Sequence, residues 1–305
     1  MKKLALFMLS LAMLCNVQAL FGWGATGHDV VAAIAEKHLT DKTKAELGKI
    51  LDGRSIIYYS SWMDGLQNSP YWKYGYNQTK TWHYANVDEG YTYQTMTKNE
   101  KGDVVTGLTM MTDELINNYA NLTDSVKADY VKMIVHMVGD MHCPMHAGRL
   151  SDLGGNRTKV RWFGKNTSLH SVWDSKIVES ARRWSYSEWR DHLDFMNYGT
   201  TVGAYTGSWV EERRSGIISS DSGKPFTTAY YEEWFMETVD SAAKIYDYVE
   251  ALGEENPNLS YQFVYDFSDV LERSLQYGGY RLAHVLNSIF DPEGAKEVLV
   301  VFAEY

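Results

Sequence analysis

VHMVGDMHCPMH, Val135 to His146, is the stretch that decides how this chain is read. It begins as an apolar helix and carries His136, Asp140 and His146. Residues four apart on a helix lie about 40° apart around the axis and share a face. His136 and Asp140 therefore point the same way. Gly139 between them leaves room for something to approach the backbone. Pro144 ends or kinks the helix, so His146 leaves on a new trajectory. Imidazole nitrogen and carboxylate oxygen on one face form a donor set suited to zinc. A core helix with a His–Asp hydrogen bond has the same pattern, so the decision rests on partners elsewhere.

Toward the N-terminus, WGATGHDVVAAIAEKHL (Trp23 to Leu39) has a helical apolar period in Val30, Val31, Ile34 and Leu39, with His28 at the helix start. Asp41 to Leu51 reads as a second helix, ended by Gly53. Asp64 follows the aromatic-rich run of SIIYYSSWMDGLQ, Ser55 to Gln67. In TWHYANV, His83 sits between Trp82 and Tyr84 on a short extended or irregular piece. Glu89 to Gly107 reads as a surface loop or hairpin, Leu108 to Tyr119 as a helix, and Ser125 to Met141 as the helix bearing the opening motif.

Toward the C-terminus, SDLGGNR (Ser151 to Arg157) is a tight turn. Gly154 and Gly155 let backbone approach a ligand closely, and Asn156 offers an amide. Val160 to Phe163 reads as a short strand. SLHSVWDSKIVE, Ser168 to Glu179, repeats the four-residue spacing in His170 and Asp174. Further helices are expected over Tyr186 to Met196, Tyr205 to Glu212, Thr228 to Leu252 and Tyr261 to Phe290. Arg213 to Pro225 is a Ser/Gly-rich loop, and GEENPN, Gly253 to Asn258, links the last two long helices. There is no internal repeat and no low-complexity tract.

The 305 residues are 45% hydrophobic, with 10 Trp and 22 Tyr, enough for a sizeable core. MKKLALFMLSLAMLCNVQA opens with two lysines before an apolar run too short to span a bilayer, and reads as a secretory signal peptide. The expectation is residues 1–22 as signal, 23–305 as one catalytic domain, and export to the periplasm or medium in a bacterial manner. Removing the signal leaves Cys143 as the one cysteine, so no internal disulfide supports the chain. The net charge of −10 argues against a broad basic surface for nucleic acid. It leaves room for an enzyme that meets phosphate through cations.

His28, Asp64, His83, His136, Asp140, His146, His170 and Asp174 are the candidate ligands. Each alone has an ordinary role as a cap, turn or packed core residue. Together they are too many donors for one zinc ion and suit two or three, as in enzymes that cleave phosphoesters. His142 lies about 240° around the helix from His136 and is read as structural. His38, His192 and His284 are read as surface or core residues, and Cys143 as a buried thiol.

WGATGH, SWMD, WHYANV, HMVGDMHCPMH, GGN and LHSVWD stand in the order found in the fungal and plant single-strand-specific zinc nucleases of the S-one and P-one type, and residues 23 to about 290 resemble that family. The resemblance implies an all-α, single-domain multi-helix bundle of the phospholipase C/single-strand nuclease type with a trinuclear zinc cleft. It implies hydrolysis of single-stranded DNA and RNA to 5′-phosphate products, with 3′-nucleotidase activity. Single-stranded nucleic acid and 3′-nucleotides are then the substrates, with no stable membrane insertion expected and no protein partner implied. Asp64, His83, His136 and Asp140 would hold one zinc. Trp23, through its free α-amine and carbonyl, would hold a second with His28 and the bridging Asp140. His146, His170 and Asp174 would hold the third. Asp64 and Asp140 are the implied catalytic carboxylates. A metal-bridged hydroxide would attack phosphorus while the third zinc stabilises the leaving 3′-oxygen. Tyr84, Leu153 and Asn156 match base- and phosphate-contacting positions, in keeping with the apolar surfaces that unstacked bases require.

The chain departs from the family pattern. Gln67 stands where the family has an arginine, and Gly65 and Leu66 replace larger residues. The spacing from His146 to Asn156 is one residue longer, and the fungal disulfides cannot form. A metal-coordinating Trp23 amine requires cleavage after Gly22, although Val17-Gln18-Ala19 is the better signal-peptidase site. A zinc phospholipase C acting on lipid phosphodiesters, and a zinc-binding protein without catalysis, are the rival readings.

Overall fold

The structure, a computed structural model, describes residues 23–66, 69, 77–194 and 226–296. The expected signal segment, Gln67, the helix expected over Tyr205 to Glu212, the Ser/Gly-rich loop to Pro225 and the tail from residue 297 lie outside these residues.

The architecture is a helical assembly wrapped around one buried helix. Some of the outer elements begin at a side-chain cap and others without one. Helix α1, Ala25–Lys37, follows Gly24. Helix α2, Asp41–Ile50, starts where the Thr40 side chain accepts from the Thr43 N–H at 3.1 Å. A 3₁₀ turn over Ile56–Tyr59 leads to the short α3, Trp62–Gly65. After a 3₁₀ segment, Asn77–Thr81, the chain runs irregularly to α4, Val104–Asn117. The apolar pattern places the start of α4 at Leu108. It begins earlier because Asp103 and Thr106 form a reciprocal capping box: Asp103 accepts from the Thr106 N–H at 2.9 Å, and Thr106 Oγ1 accepts from the Asp103 N–H at 2.8 Å.

Helix α5, Asp124–Met141, is the buried one. Its second half, MIVHMVGDM, is apolar on nearly every side and is buried from Met133 to Met141. It packs on α1, α3 and α4 and on α10, Tyr261–Phe290. Helix α10 also crosses α1 closely. A Cβ on Gly279 would lie 2.5 Å from the Ile34 Cβ, so the crossing depends on the missing side chain. Helix α5 ends at Met141, before Pro144, which opens a separate 3₁₀ turn, Pro144–Ala147.

The all-α expectation needs one correction. β1, Lys159–Trp162, pairs antiparallel with β2, Lys165–Ser168, and parallel with β3, Asn258–Leu259. Phe163 and Gly164 take φ of +48° and +81° and close the hairpin, the backbone that a two-residue turn demands. The segment read as a linker before α10 thus ends in a strand. Its partner is some 95 residues away in the chain, and no local pattern encodes that pairing.

Beyond the hairpin the chain forms a single helical turn α6, Leu169–Ser171, a π segment over Val172–Lys176, and α7, Ile177–Ala181. Helix α8, Tyr186–Leu193, has its own capping box from Ser185 and Glu188. Helix α9, Thr228–Ala251, precedes β3 and packs on α4 and on the Pro144–Ala147 turn. None of the helices among the described residues is long and apolar enough to cross a membrane.

Candidate metal centre

All eight candidate ligands fall into three groups, delivered by several different local devices. His136 and Asp140 come from one face of α5. His28 comes from the first turns of α1, and its ring stacks on His136 with centroids 3.9 Å apart. Gly139 is what permits this. A Cβ there would lie 2.8 Å from His28 Nδ1, so the approach expected at this glycine is that of His28. Asp64 sits in the first turn of α3, and His83 on the irregular run that follows the Asn77–Thr81 turn.

Four donor atoms draw together into one cluster. His83 Nδ1 lies 2.9 Å from Asp140 Oδ2, 3.7 Å from Asp64 Oδ1 and 3.1 Å from His136 Nε2. His136 Nε2 lies 3.0 Å from Asp140 Oδ2 and 3.4 Å from Asp64 Oδ1. A divalent ion bound tetrahedrally at about 2.0–2.1 Å separates its ligands by roughly 3.3 Å, and these five edges scatter around that value. Asp140 turns its other oxygen the opposite way: Oδ1 faces His28 Nε2 at 3.3 Å without hydrogen-bond alignment. One carboxylate thus serves two donor sets, His28 with His136 and Asp140, and Asp64 with His83 and His136. The third set is His146, His170 and Asp174.

The imidazoles are held in defined tautomers by backbone carbonyls. His136 Nδ1 donates to Ser60 O at 2.7 Å, His146 Nδ1 to His83 O at 2.6 Å, and His170 Nδ1 to Gly154 O at 2.7 Å. In each ring this leaves Nε2 as the lone-pair donor, as in metal-ligating histidines whose other nitrogen is anchored. Ser60 is itself tied to Asp29 through its hydroxyl at 2.5 Å.

The electrostatics point to positive charge as the missing component. Burial alone would strip His136 of its proton, yet Asp140 and Asp64 draw its pKa well above the usual imidazole range. Burial opposes the Asp140 charge too, but His136 and His146 hold its carboxyl well below the usual carboxylate range. Burial, then Asp140 and Asp64, push Asp174 well above that range. Burial and the neighbouring His136 keep His28 low, and so neutral. Both ring nitrogens of His28, together with Asp64 Oδ1, Asp140 Oδ1 and Asp174 Oδ1, are buried without hydrogen-bond partners. Buried polar atoms are ordinarily paired. A set of orphaned nitrogen and oxygen donors aimed at common points fits cations in all three groups.

Trp23 is fully buried at the start of α1. The next residue, Gly24, donates its N–H to Asp174 O, and a Cβ there would lie 2.6 Å from Ser175 Oγ. The start of the described chain is therefore fastened to the third group. The substrate-side candidates are placed differently. Tyr84 is half-buried beside His83. Leu153 is 43% exposed, with φ of +58°. Asn156 spends an amide hydrogen on Leu153 O at 2.9 Å, which holds the turn in shape.

Two details go beyond the sequence expectation and a third agrees with it. Gly154 and Gly155 approach the protein's own chain: a Cβ on Gly154 would lie 2.6 Å from Met145 O, and one on Gly155 3.0 Å from His170 N. Asp152 and Tyr246, which brace this turn, carry no sequence signal beyond the aspartate's place before the glycines. His142 is structural, as its helix angle implies. Its Nδ1 donates to Val138 O at 2.7 Å and its Nε2 accepts from the buried Arg281 at 3.1 Å. Burial and Arg281 push its pKa down to about 3.

A sequence model described as S1/P1 Nuclease matches residues 23–291. Endonuclease 3 of Arabidopsis thaliana is 30% identical over 276 residues, covering 88% of this chain and 89% of that protein. Nuclease S1 of Aspergillus oryzae is 26% identical over 296 residues, covering 92% of this chain and 96% of that protein. Nuclease P1 of Penicillium citrinum is 23% identical over 287 residues, covering 90% of this chain and all of that protein.

Proposed function

The chain belongs to the S1/P1 nuclease family and is a hydrolase of the endonuclease type, and on that premise we propose that it is a zinc-dependent phosphodiesterase cutting single-stranded DNA and RNA to 5′-phosphate products, with 3′-nucleotidase activity. The observation that carries this reading is the divided carboxylate of Asp140, with two orphan-rich donor sets on its two sides and a third set adjoining. Three zinc ions fit these sets. Asp64, His83, His136 and Asp140 would hold one; His28, Asp140 and the Trp23 terminus a second; His146, His170 and Asp174 the third. Bound zinc would lower the pKa of water in the cleft and neutralise charge on the phosphoryl group.

The chain's own residues do the rest. Asp140, fully buried, presents one oxygen to each of the first two sets and so ties their positions together. Asp64 is the carboxylate of its cluster that solvent reaches, with 14% of its side chain exposed, and is the group assigned to orient attacking water. His136 can ligate only through an unprotonated Nε2, so cation binding there competes with protons. Tyr84 and Leu153 offer surface to an unstacked base. Family membership favours this reading over a lipid phosphodiesterase or a storage protein.

Residues 1–22 are proposed as a secretion signal. Cleavage after Gly22 would free the Trp23 amine, and mass spectrometry of the secreted protein is expected to find Trp23 first. An active, three-zinc protein beginning at Leu20 would refute that ligand. The direct test of the function is metal counting beside an assay on single-stranded DNA. About three zinc ions per chain, with activity abolished by chelator and restored by zinc, are expected. Full activity after exhaustive chelation would refute the metal mechanism.

A further inference from the structure

The His146–His170–Asp174 group is braced by Tyr246, a residue outside the set, through the turn that carries the Gly154 carbonyl. Tyr246, on α9, donates its hydroxyl to Asp152 Oδ1 at 2.9 Å and accepts from the Arg149 N–H at 3.3 Å. Asp152 Oδ1 also accepts from the Gly155 N–H at 2.8 Å, and Asp152 Oδ2 from Thr158 Oγ1 at 2.5 Å. The turn so clamped closes on itself through Gly154 N–H to Arg149 O at 2.8 Å. Its product is the Gly154 carbonyl, which receives His170 Nδ1 at 2.7 Å. The His170 N–H returns to Gly155 O at 3.2 Å.

The same hydroxyl reaches the other histidine's side of the site. A Cβ on Gly148 would lie 2.9 Å from Tyr246 Oη, so the phenol seats directly against the backbone just past His146. Leu153, Gly154 and Gly155 hold φ of +58°, +63° and +81° in succession. Gly154 and Gly155 take this backbone freely, but Leu153 does so at a steric cost that its surroundings must offset. Local hydrogen bonds from Asp152 supply part of the restraint, and Tyr246 supplies the part that comes from the core.

We propose that Tyr246 is a positioning residue for the third cation, acting through Asp152 and the Gly154 carbonyl to fix the aim of His170. The proposal rests on the reading of His146, His170 and Asp174 as a zinc set. It adds that this set, unlike the two sharing Asp140, depends on a phenol hydroxyl outside it. Partners beyond a metal's direct ligands commonly set its affinity by about 10–100-fold.

The test is stepwise zinc removal from the holoprotein by a graded chelator series, counting ions retained, for wild type and Tyr246→Phe. The variant removes one oxygen and keeps the ring in place. The expected result is one ion lost at about 10–100-fold lower chelator strength, with the other two retained as in wild type and restoration at high zinc. Asp152→Asn should release the same single ion, and it carries the test if Tyr246→Phe does not fold. Wild-type retention of all three ions in both folded variants would overturn the proposal. So would a parallel weakening of all three, which is general destabilisation. A wild-type protein that never holds a third ion would overturn the zinc reading of this set, and the proposal with it.

Discussion

The two halves of the metal centre are built from different materials. The pair of sets sharing Asp140 hangs mainly on α5, α1 and α3, with His136 and Asp140 one helical turn apart on a buried face and His83 alone on an irregular run. The third set hangs on a 3₁₀ turn, a hairpin exit and a π segment. Helices fix relative side-chain positions through their own periodicity. Turns and π segments do not, and here they borrow restraint from Asp152, Tyr246 and the tether at Gly24. One region is specified by repeat geometry and the other by remote contacts, so the first should fail through its ligands and the second through its supports.

The largest expected effect is at His136, which lies in the Asp64–His83 cluster and stacks on His28, and His136→Ala should lower single-strand cleavage by about 10²–10³-fold, the scale of losing a principal electrostatic stabiliser. A variant keeping full turnover would break the comparison at its stronger side.

Acid should act on the scaffold beneath both regions. Burial lowers the pKa of His284 to about 4, beside the rings of Phe226 and Tyr230. The unfolded imidazole titrates near 6.5, so below that the unfolded state takes up the proton first. Stability is therefore lost as pH falls from about 6.5 toward 4, by on the order of 3 kcal/mol from this residue. His284→Leu should flatten that part of the stability profile in urea titrations, and an unchanged slope would count against it.

Gly139→Ala tests the helix-built side alone. Its Cβ must displace the His28 ring, at a cost of about 1–3 kcal/mol, and metal counts should show loss at the His28 set before the third set. The smallest effect belongs to the exposed turn. Leu153→Ala keeps the Cβ and the backbone, so KM for single-stranded DNA should rise by less than about tenfold with kcat unchanged. A fall in kcat would move Leu153 from substrate contact to support of the site.

What could be read from the chain follows the same division. His136 and Asp140 declare themselves because helical spacing is a local property. His170 and Asp174 show the same spacing, but the π segment between them is invisible to a period count. The start of α4 is written in the Asp103–Thr106 pair, a local signal that an apolar period does not contain. The stacking of His28 on His136, the strand pairing of Arg161 with Asn258 and the reach of Tyr246 to Asp152 each join distant segments. No spacing encodes them, because they exist only once distant elements have packed.

Asp140 gives the larger half of the site an all-or-nothing character. Its two oxygens look into different donor sets, so a change at that one codon reaches both, whereas changes at His28 or Asp64 reach one each. The two sets are thereby inherited as a unit. A lineage that tuned one of them could do so through its private ligands, while the carboxylate between them stayed fixed as the hinge on which neither could be altered alone.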